Sequence, residues 1–283
     1  MFKWLSSLFS KKEKKEISSP VQKPVVITIH GYGRRRKHEM DNLLLWDKEQ
    51  EFEIVQFHMY DIFDEKDCDW MLWVSRAKEV VDSYAMQKRE IYLIGFSMGG
   101  VIASYLATVC PVKKLVLLAP AFQYIHLENI ASLITKGAAS LLSSSSEKKD
   151  IKEVEIPRPF YGAFMDLVKA LKKYIAYVEC PVLFIHGDAD EVIPLKSSIN
   201  AFEKIKHQQK KLFILHNGHH RLLTDEQVNW ECFQIIMLFF HNKILHGEVI
   251  EQAEDILEVM RKEHQTEQHD EADTIKKEVE PII

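Results

Sequence analysis

The residues best able to do chemistry in this sequence are a serine, two aspartates and a group of histidines, each just beyond a short apolar run. Ser97 stands in Gly95-Phe96-Ser97-Met98-Gly99, a G-x-S-x-G pattern with Gly100 behind it. Asp188 and Asp190 follow Val182-Leu183-Phe184-Ile185, and His216, His219 and His220 follow Leu212-Phe213-Ile214-Leu215. A serine hydroxyl is a weak nucleophile and needs a base within hydrogen-bond reach. An imidazole takes that proton and later returns it to the leaving group, while a buried carboxylate fixes the ring's tautomer and steadies the imidazolium. We assign Ser97 as nucleophile, Asp190 as orienting acid and His219 as base. Asp188 competes for the acid role, and His216 and His220 compete for the base. The three histidines could instead suggest a metal, but no second cluster supplies carboxylates at ligand spacing, so neither metal nor cofactor is expected.

The glycines beside Ser97 have a steric purpose. A serine on so tight a turn takes strained backbone angles, and Gly95 and Gly99 let strand and helix pass closely. Acyl transfer also needs donors for a developing oxyanion. His30-Gly31-Tyr32-Gly33 ends the first clear strand, and the backbone N–H groups of Tyr32 and Met98 are the expected pair. Gly31 keeps that turn open, and His30 is read as orienting the loop through hydrogen bonds rather than as a base. Arg34-Arg35-Arg36-Lys37 comes next. An arginine fork there suits an anionic substrate group, although a solvated loop is the plainer reading.

The elements that must position these residues follow from hydrophobic period. Val25–Ile29, Glu53–Tyr60, Ile91–Ile94, Lys114–Ala119, Val182–Ile185 and Leu212–Leu215 read as strands, most of them continuously apolar. Helical spacing marks Asp69–Met86, the stretch from Val101 to about Cys110, and Val228–Leu245. Apolar strands alternating with helices argue for a mainly parallel sheet covered on both faces. Between Phe122 and Val178 the rhythm lapses into two amphipathic stretches, Ile125–Leu142 and Phe160–Tyr177, around a serine-rich loop. An insertion at this point would cap the site, with most of its apolar residues packing and a few lining the pocket. The expected organisation is an extension over 1–24, a core over 25–121 and 179–246, a cap over 122–178, and an acidic helix and tail over 247–283.

Composition narrows the partners. The 283 residues carry a net charge of −5, so nothing global points to nucleic acid. From Gly247 onward there are 12 Asp/Glu against 4 Lys/Arg, an aromatic-free tail expected to be disordered. Cys68, Cys110, Cys180 and Cys232 are scattered, as reduced thiols in a cytoplasmic protein would be. No apolar run is long enough to span a bilayer. Residues 1–15 set aromatic and leucine residues beside a lysine cluster, a candidate for peripheral membrane contact, although a tail or a self-docked helix is the plainer reading. Nothing in the sequence sets an oligomeric state.

Taken together, His30-Gly31-Tyr32-Gly33, Gly95–Gly100, His186-Gly187-Asp188-Ala189-Asp190-Glu191-Val192-Ile193-Pro194 and Asn217-Gly218-His219 resemble α/β-hydrolases of the carboxylesterase, monoacylglycerol lipase and serine aminopeptidase-like group. The order serine, acid, histidine is also that fold's order. The resemblance covers about Val25 to Leu245. It implies an H-G-x-x-D-x-x-V/I-P acid turn, which selects Asp190 over Asp188, and an S/N-G-H turn, which selects His219 over His220. It also implies an α/β-hydrolase fold and a cofactor-free serine hydrolase. The expected substrate is a small-molecule ester with an apolar acyl group, of short or medium length, or a monoacylglycerol. A thioesterase, an aminopeptidase-like amidase or a non-catalytic binding module are the rival expectations. One departure stands out: where many relatives carry R-G-x-G after the second strand, this chain has Tyr60-Asp61-Ile62-Phe63-Asp64.

Overall fold

A computed structural model describes residues 22–33, 39–47, 51–124 and 158–244. The expectations for residues 1–15, Arg34–Arg36, 125–157 and the acidic tail lie outside the described residues. Six parallel strands form one sheet: β1 (Val25–Ile29), β2 (Glu53–Gln56), β3 (Ile91–Phe96), β4 (Val112–Leu118), β5 (Val182–Gly187) and β6 (Lys210–Leu215). Their spatial order is β2-β1-β3-β4-β5-β6. Every residue of β1, β3 and β5 is buried, whereas the edge strands β2 and β6 are mostly half-buried. That difference is why the central strands read as unbroken apolar runs: both of their faces are covered.

Successive side chains divide between those faces. Val25, Ile27, Leu93, Leu115, Val182 and Phe184 belong to one core, and Val26, Ile94, Val116, Leu118 and Ile185 to the other. The first core is closed by α2 (Trp70–Met86), α3 (Met98–Val109), α4 (Arg158–Leu171) and α5 (Lys196–Lys204). The second is closed by α1 (Asp41–Trp46) and α6 (Asn229–Phe240), through Leu43, Phe233, Ile236 and Phe239. Among the described residues, no helix is long and apolar enough to cross a membrane.

Several boundaries differ from the periodicity. The second strand stops at Gln56 rather than Tyr60. Beyond it the chain turns inward, burying Met59 completely and bringing Tyr60 beneath the first strand's terminal loop. The short helices α1 and α5 have too few turns to give a clear repeat, and the apolar pattern passed over them. The described end of the expected insertion, 158–177, is α4 followed by a 3₁₀ segment. Phe160, Leu167 and Val168 pack into the first core, and Phe160 stacks on Trp73 at 5.6 Å. Most of α4 is thus a core helix, and Phe164 is its residue at the candidate site.

Candidate active site

Ser97 lies between β3 and α3 with φ 53° and ψ −118°, a conformation that costs a non-glycine residue about 1–3 kcal/mol. The surroundings hold it there. Its N–H donates to the Leu118 carbonyl at 2.9 Å, and its own carbonyl accepts from Gly100 and Ala121, each at 3.0 Å. A Cβ on Gly95 would meet the Gly99 carbonyl at 2.6 Å and Ala103 at 2.7 Å. A Cβ on Gly99 would run into the carbonyls of Ile29 and His30. Strand and helix therefore touch through backbone, and the Ser97 side chain is presented at the carboxyl end of the sheet.

Across from it, the loops after β5 and β6 are joined by three acid–histidine pairs. His216 Nδ1 meets Asp188 Oδ2 at 2.8 Å, His219 Nδ1 meets Glu191 Oε2 at 3.3 Å, and His220 Nδ1 meets Asp190 Oδ2 at 2.8 Å. Burial separates them. The His216 and His219 side chains are 84% and 56% exposed, against 9% for His220 and 1% for Asp190. Only His220 of the three reaches the serine, with Nε2 3.2 Å from Ser97 Oγ.

The histidine expected beside the serine was His219; the structure brings His220 there instead. Gly218 packs its main chain against that of Gly187, and the His219 N–H donates to Asp225 at 2.8 Å. These contacts leave the His219 ring on the rim, and the chain enters the site one residue later. The His220 ring rests on Phe96, with centroids 4.9 Å apart. The pairing also takes the three histidines to three different carboxylates. Among the described residues, no group of three or more His, Cys, Asp or Glu is arranged to hold a metal ion.

Asp190, the expected acid, is the carboxylate paired with His220. Its Oδ1 accepts from the N–H groups of Val192 and Ile193, both at 2.8 Å. Burial alone would push this carboxyl up. The His220 charge and the hydrogen bonds from His186 and His220 outweigh burial and hold it well below the usual carboxylate range. Asp188 is an exposed rim residue, its carboxyl lowered by hydrogen bonds from His216 and the Asn217 N–H.

The His30-Gly31-Tyr32-Gly33 turn lies against the elbow: a Cβ on Gly31 would meet Phe96 at 2.8 Å and Ser97 Cβ at 3.3 Å. Both ring nitrogens of His30 hold the loop. Nε2 accepts the Met59 N–H at 3.2 Å, which leaves Nδ1–H to donate to the Gly31 carbonyl at 2.8 Å. Two residues that sequence reasoning missed complete the support. Glu39 accepts the Gly31 N–H at 3.2 Å. The Tyr60 hydroxyl accepts from Gly33 N–H at 3.2 Å and donates to Gly31 O at 3.3 Å. Tyr60 opens the segment that departs from the relatives' R-G-x-G, and here it braces this turn. Met98 is the first residue of α3, so its N–H has no intrahelical partner and stands at the positive end of the helix.

Tyr32, Glu39, Phe96, Ser97, Phe164, Val192, Ile193, His220 and Arg221 line a small pocket that opens to solvent. Tyr32 stacks on Phe164 at 5.1 Å. Burial, with smaller contributions from Tyr60 and Tyr161, pushes the Tyr32 phenol up, so it stays protonated at neutral pH.

A family model described as serine aminopeptidase, S33, matches residues 69–159 and 146–227, together more than half of the chain. The chain belongs to that family. A thermostable monoacylglycerol lipase from Bacillus sp. (strain H-257) is 24% identical over 161 residues, 54% of this chain and 64% of the relative. The chain thus spans less than two thirds of that relative's length. Solved structures show the same α/β-hydrolase fold. One, described with the metagenome-derived lipolytic enzymes LipS and LipT, superposes with a TM-score of 0.60 at 15% identity, covering 78% of this chain and 94% of its own. Another, a soluble variant of monoglyceride lipase from Saccharomyces cerevisiae, gives 0.57 at 17% identity, covering 80% and 88%.

Proposed function

We propose that this S33-family member is a serine hydrolase of carboxylic esters, with Ser97, His220 and Asp190 as its catalytic residues. The observation that carries this reading is the buried chain from Ser97 Oγ through the His220 ring to Asp190, with links of 3.2 and 2.8 Å. As Ser97 Oγ bonds to the ester carbonyl carbon, its proton passes to His220 Nε2. Asp190 steadies the imidazolium, and the N–H groups of Tyr32 and Met98 receive the oxyanion. Collapse breaks the bond to the alcohol, which leaves with the His220 proton. Water then repeats the sequence on the acyl-enzyme and releases the acid.

The apolar walls at Phe96, Phe164, Val192 and Ile193 favour an acyl group. Relatives described as lipases support a monoacylglycerol or a short or medium acyl ester as substrate. The family's aminopeptidase description favours a second reading, an amidase using the same three residues. Hydrolysis of p-nitrophenyl esters from acetate to laurate by wild type and Ser97→Ala tests the first. Activity that vanishes in the variant and peaks at one chain length supports the esterase. Turnover of aminoacyl p-nitroanilides alone would favour the amidase. Failure of a fluorophosphonate to label folded protein at Ser97 would leave only a binding module.

A further inference from the structure

His186 has no part in the steps above, yet it is completely buried and touches the candidate acid. Its Nε2 lies 3.0 Å from the Ile193 carbonyl and 3.1 Å from Asp190 Oδ2. Both of these only accept, so Nε2 carries the hydrogen. Its Nδ1 lies 2.7 Å from Ser198 Oγ, on α5, whose hydroxyl can donate to it. A neutral ring with the proton on Nε2 satisfies all three contacts. The result is an unbroken chain from Ser198 through His186, Asp190 and His220 to Ser97.

We propose that His186 is a positioning residue for the catalytic acid: it fixes the rotamer of Asp190 and shares the charge of Oδ2, and so sets the pH at which His220 becomes a base. The inference rests on the reading of Ser97, Asp190 and His220 given above. Asp190 is fully engaged, with two backbone N–H groups on Oδ1 and two imidazoles on Oδ2. Each donor on Oδ2 draws on the same negative charge. The His186 ring, with Nε2 3.1 Å from Oδ2, therefore competes with the His220 imidazole for the same carboxylate charge. Removing that donor ends the competition: His220 binds its proton more tightly, and activity begins at higher pH. Other groups around His220 are Glu191, which accepts the His220 N–H at 3.4 Å, His219 beside it, and Glu39 and Arg221 on the pocket wall. All of these remain when His186 is changed.

The test is the pH profile of kcat/KM for the full chain on its best p-nitrophenyl ester, comparing His186→Phe with His186→Gln. Phenylalanine fills the space without a donor, whereas the glutamine amide reaches about where Nε2 sits. For His186→Phe the acid limb should move up by roughly half to one unit. Its kcat/KM should fall about tenfold, as expected from losing one hydrogen bond to a charged group. His186→Gln should restore both. Equal losses in the two variants with an unmoved acid limb would overturn the proposal, because that pattern is structural damage alone. A variant-free measurement accompanies it: nitrogen-15 NMR of histidine-labelled wild type should find the His186 proton on Nε2. A proton on Nδ1 alone would refute it even if the Phe variant fails to fold. Ser97→Ala and His220→Ala separate the two readings. If either retains turnover, the site assignment falls; if both are inactive and His186→Phe keeps the wild-type limb, only the role of His186 falls.

Discussion

Exchanging the two neighbouring histidines one at a time gives the sharpest test of the site. In His220→Ala the ring 3.2 Å from Ser97 Oγ and 2.8 Å from Asp190 is lost, leaving the hydroxyl without a base and the carboxylate buried without its main partner. Deleting one member of such a unit typically costs about 10⁴-fold or more in kcat, on the order of 5.5 kcal/mol of transition-state stabilisation. In His219→Ala the loss is a 3.3 Å contact to Glu191 between side chains that are 56% and 42% exposed. Such a pair is worth roughly 0–1 kcal/mol, and none of that acts on the reacting atoms. Its kcat/KM should stay within about threefold of wild type. The assay is initial-rate ester hydrolysis at pH 8, with thermal unfolding of each variant to show that it is folded. The same comparison in a fluorophosphonate labelling experiment reads the serine's reactivity without turnover. An inactive, folded His219→Ala beside an active His220→Ala would refute the assignment.

Four further outcomes follow from the packing and the charges. Gly99→Ala forces a methyl into the Ile29 and His30 carbonyls and should cost on the order of 3 kcal/mol, a loss in Tm of roughly 6–12 °C by calorimetry. Gly162→Ala, within α4 and with nothing near its added methyl, should instead gain up to about 1 kcal/mol by the same measurement. Asp190 has a folded carboxyl lowered by His220 and His186 against the effect of burial, so its stabilisation is complete above the unfolded value of about 3.9 and is lost as pH falls through the lower folded value. The Tm gap between wild type and Asp190→Asn should therefore be wide at pH 7 and narrow towards pH 3. Lys114 donates to the last carbonyls of α6, Phe239 and Phe240, while burial lowers its ammonium to about 8. Between that value and an unfolded value of about 10.4 the unfolded chain holds the extra proton, so wild-type stability should gain with pH relative to Lys114→Met, as chemical denaturation would show.

The serine turn was legible because its signal is local. A serine between two glycines, after an apolar strand and before a helical repeat, meets all its requirements within about ten residues. The buried place of Asp190 was legible through the form of the turn that carries it. The histidine that reaches Ser97 was not, because His219 and His220 are adjacent and chemically identical. Which one points inward depends on the Gly187–Gly218 backbone contact, between residues far apart in the chain. Tyr60 was missed for the same reason, since its partners in the His30–Gly33 turn become neighbours only when β1 and β2 pair; Glu39 is only eight residues from Gly31, but no motif marks that contact. His186 was visible only as a letter of a motif; its function needs Ser198, which comes from a short helix that the hydrophobic pattern passed over. The sheet itself was easier to read, because burial on both faces leaves a strong apolar imprint on the central strands.

The contact between Gly187 and Gly218 has a consequence for how this protein can change. The loops bearing Asp190 and His220 meet main chain to main chain, and the Ala189 N–H donates to the Gly218 carbonyl at 3.1 Å. The spacing of Asp190 and His220 is thus gauged by peptide groups, which keep their place so long as 187 and 218 remain glycine, since a Cβ on Gly187 would run into the Gly218 carbonyl. Replacement of a neighbour such as Ala189 can vary the rim while that gauge stays fixed. A residue inserted into either loop would break it unless the other loop changed in step. Laboratory evolution of this scaffold should therefore accumulate specificity changes at Phe164, Val192 and Ile193, and almost no length changes in the two loops.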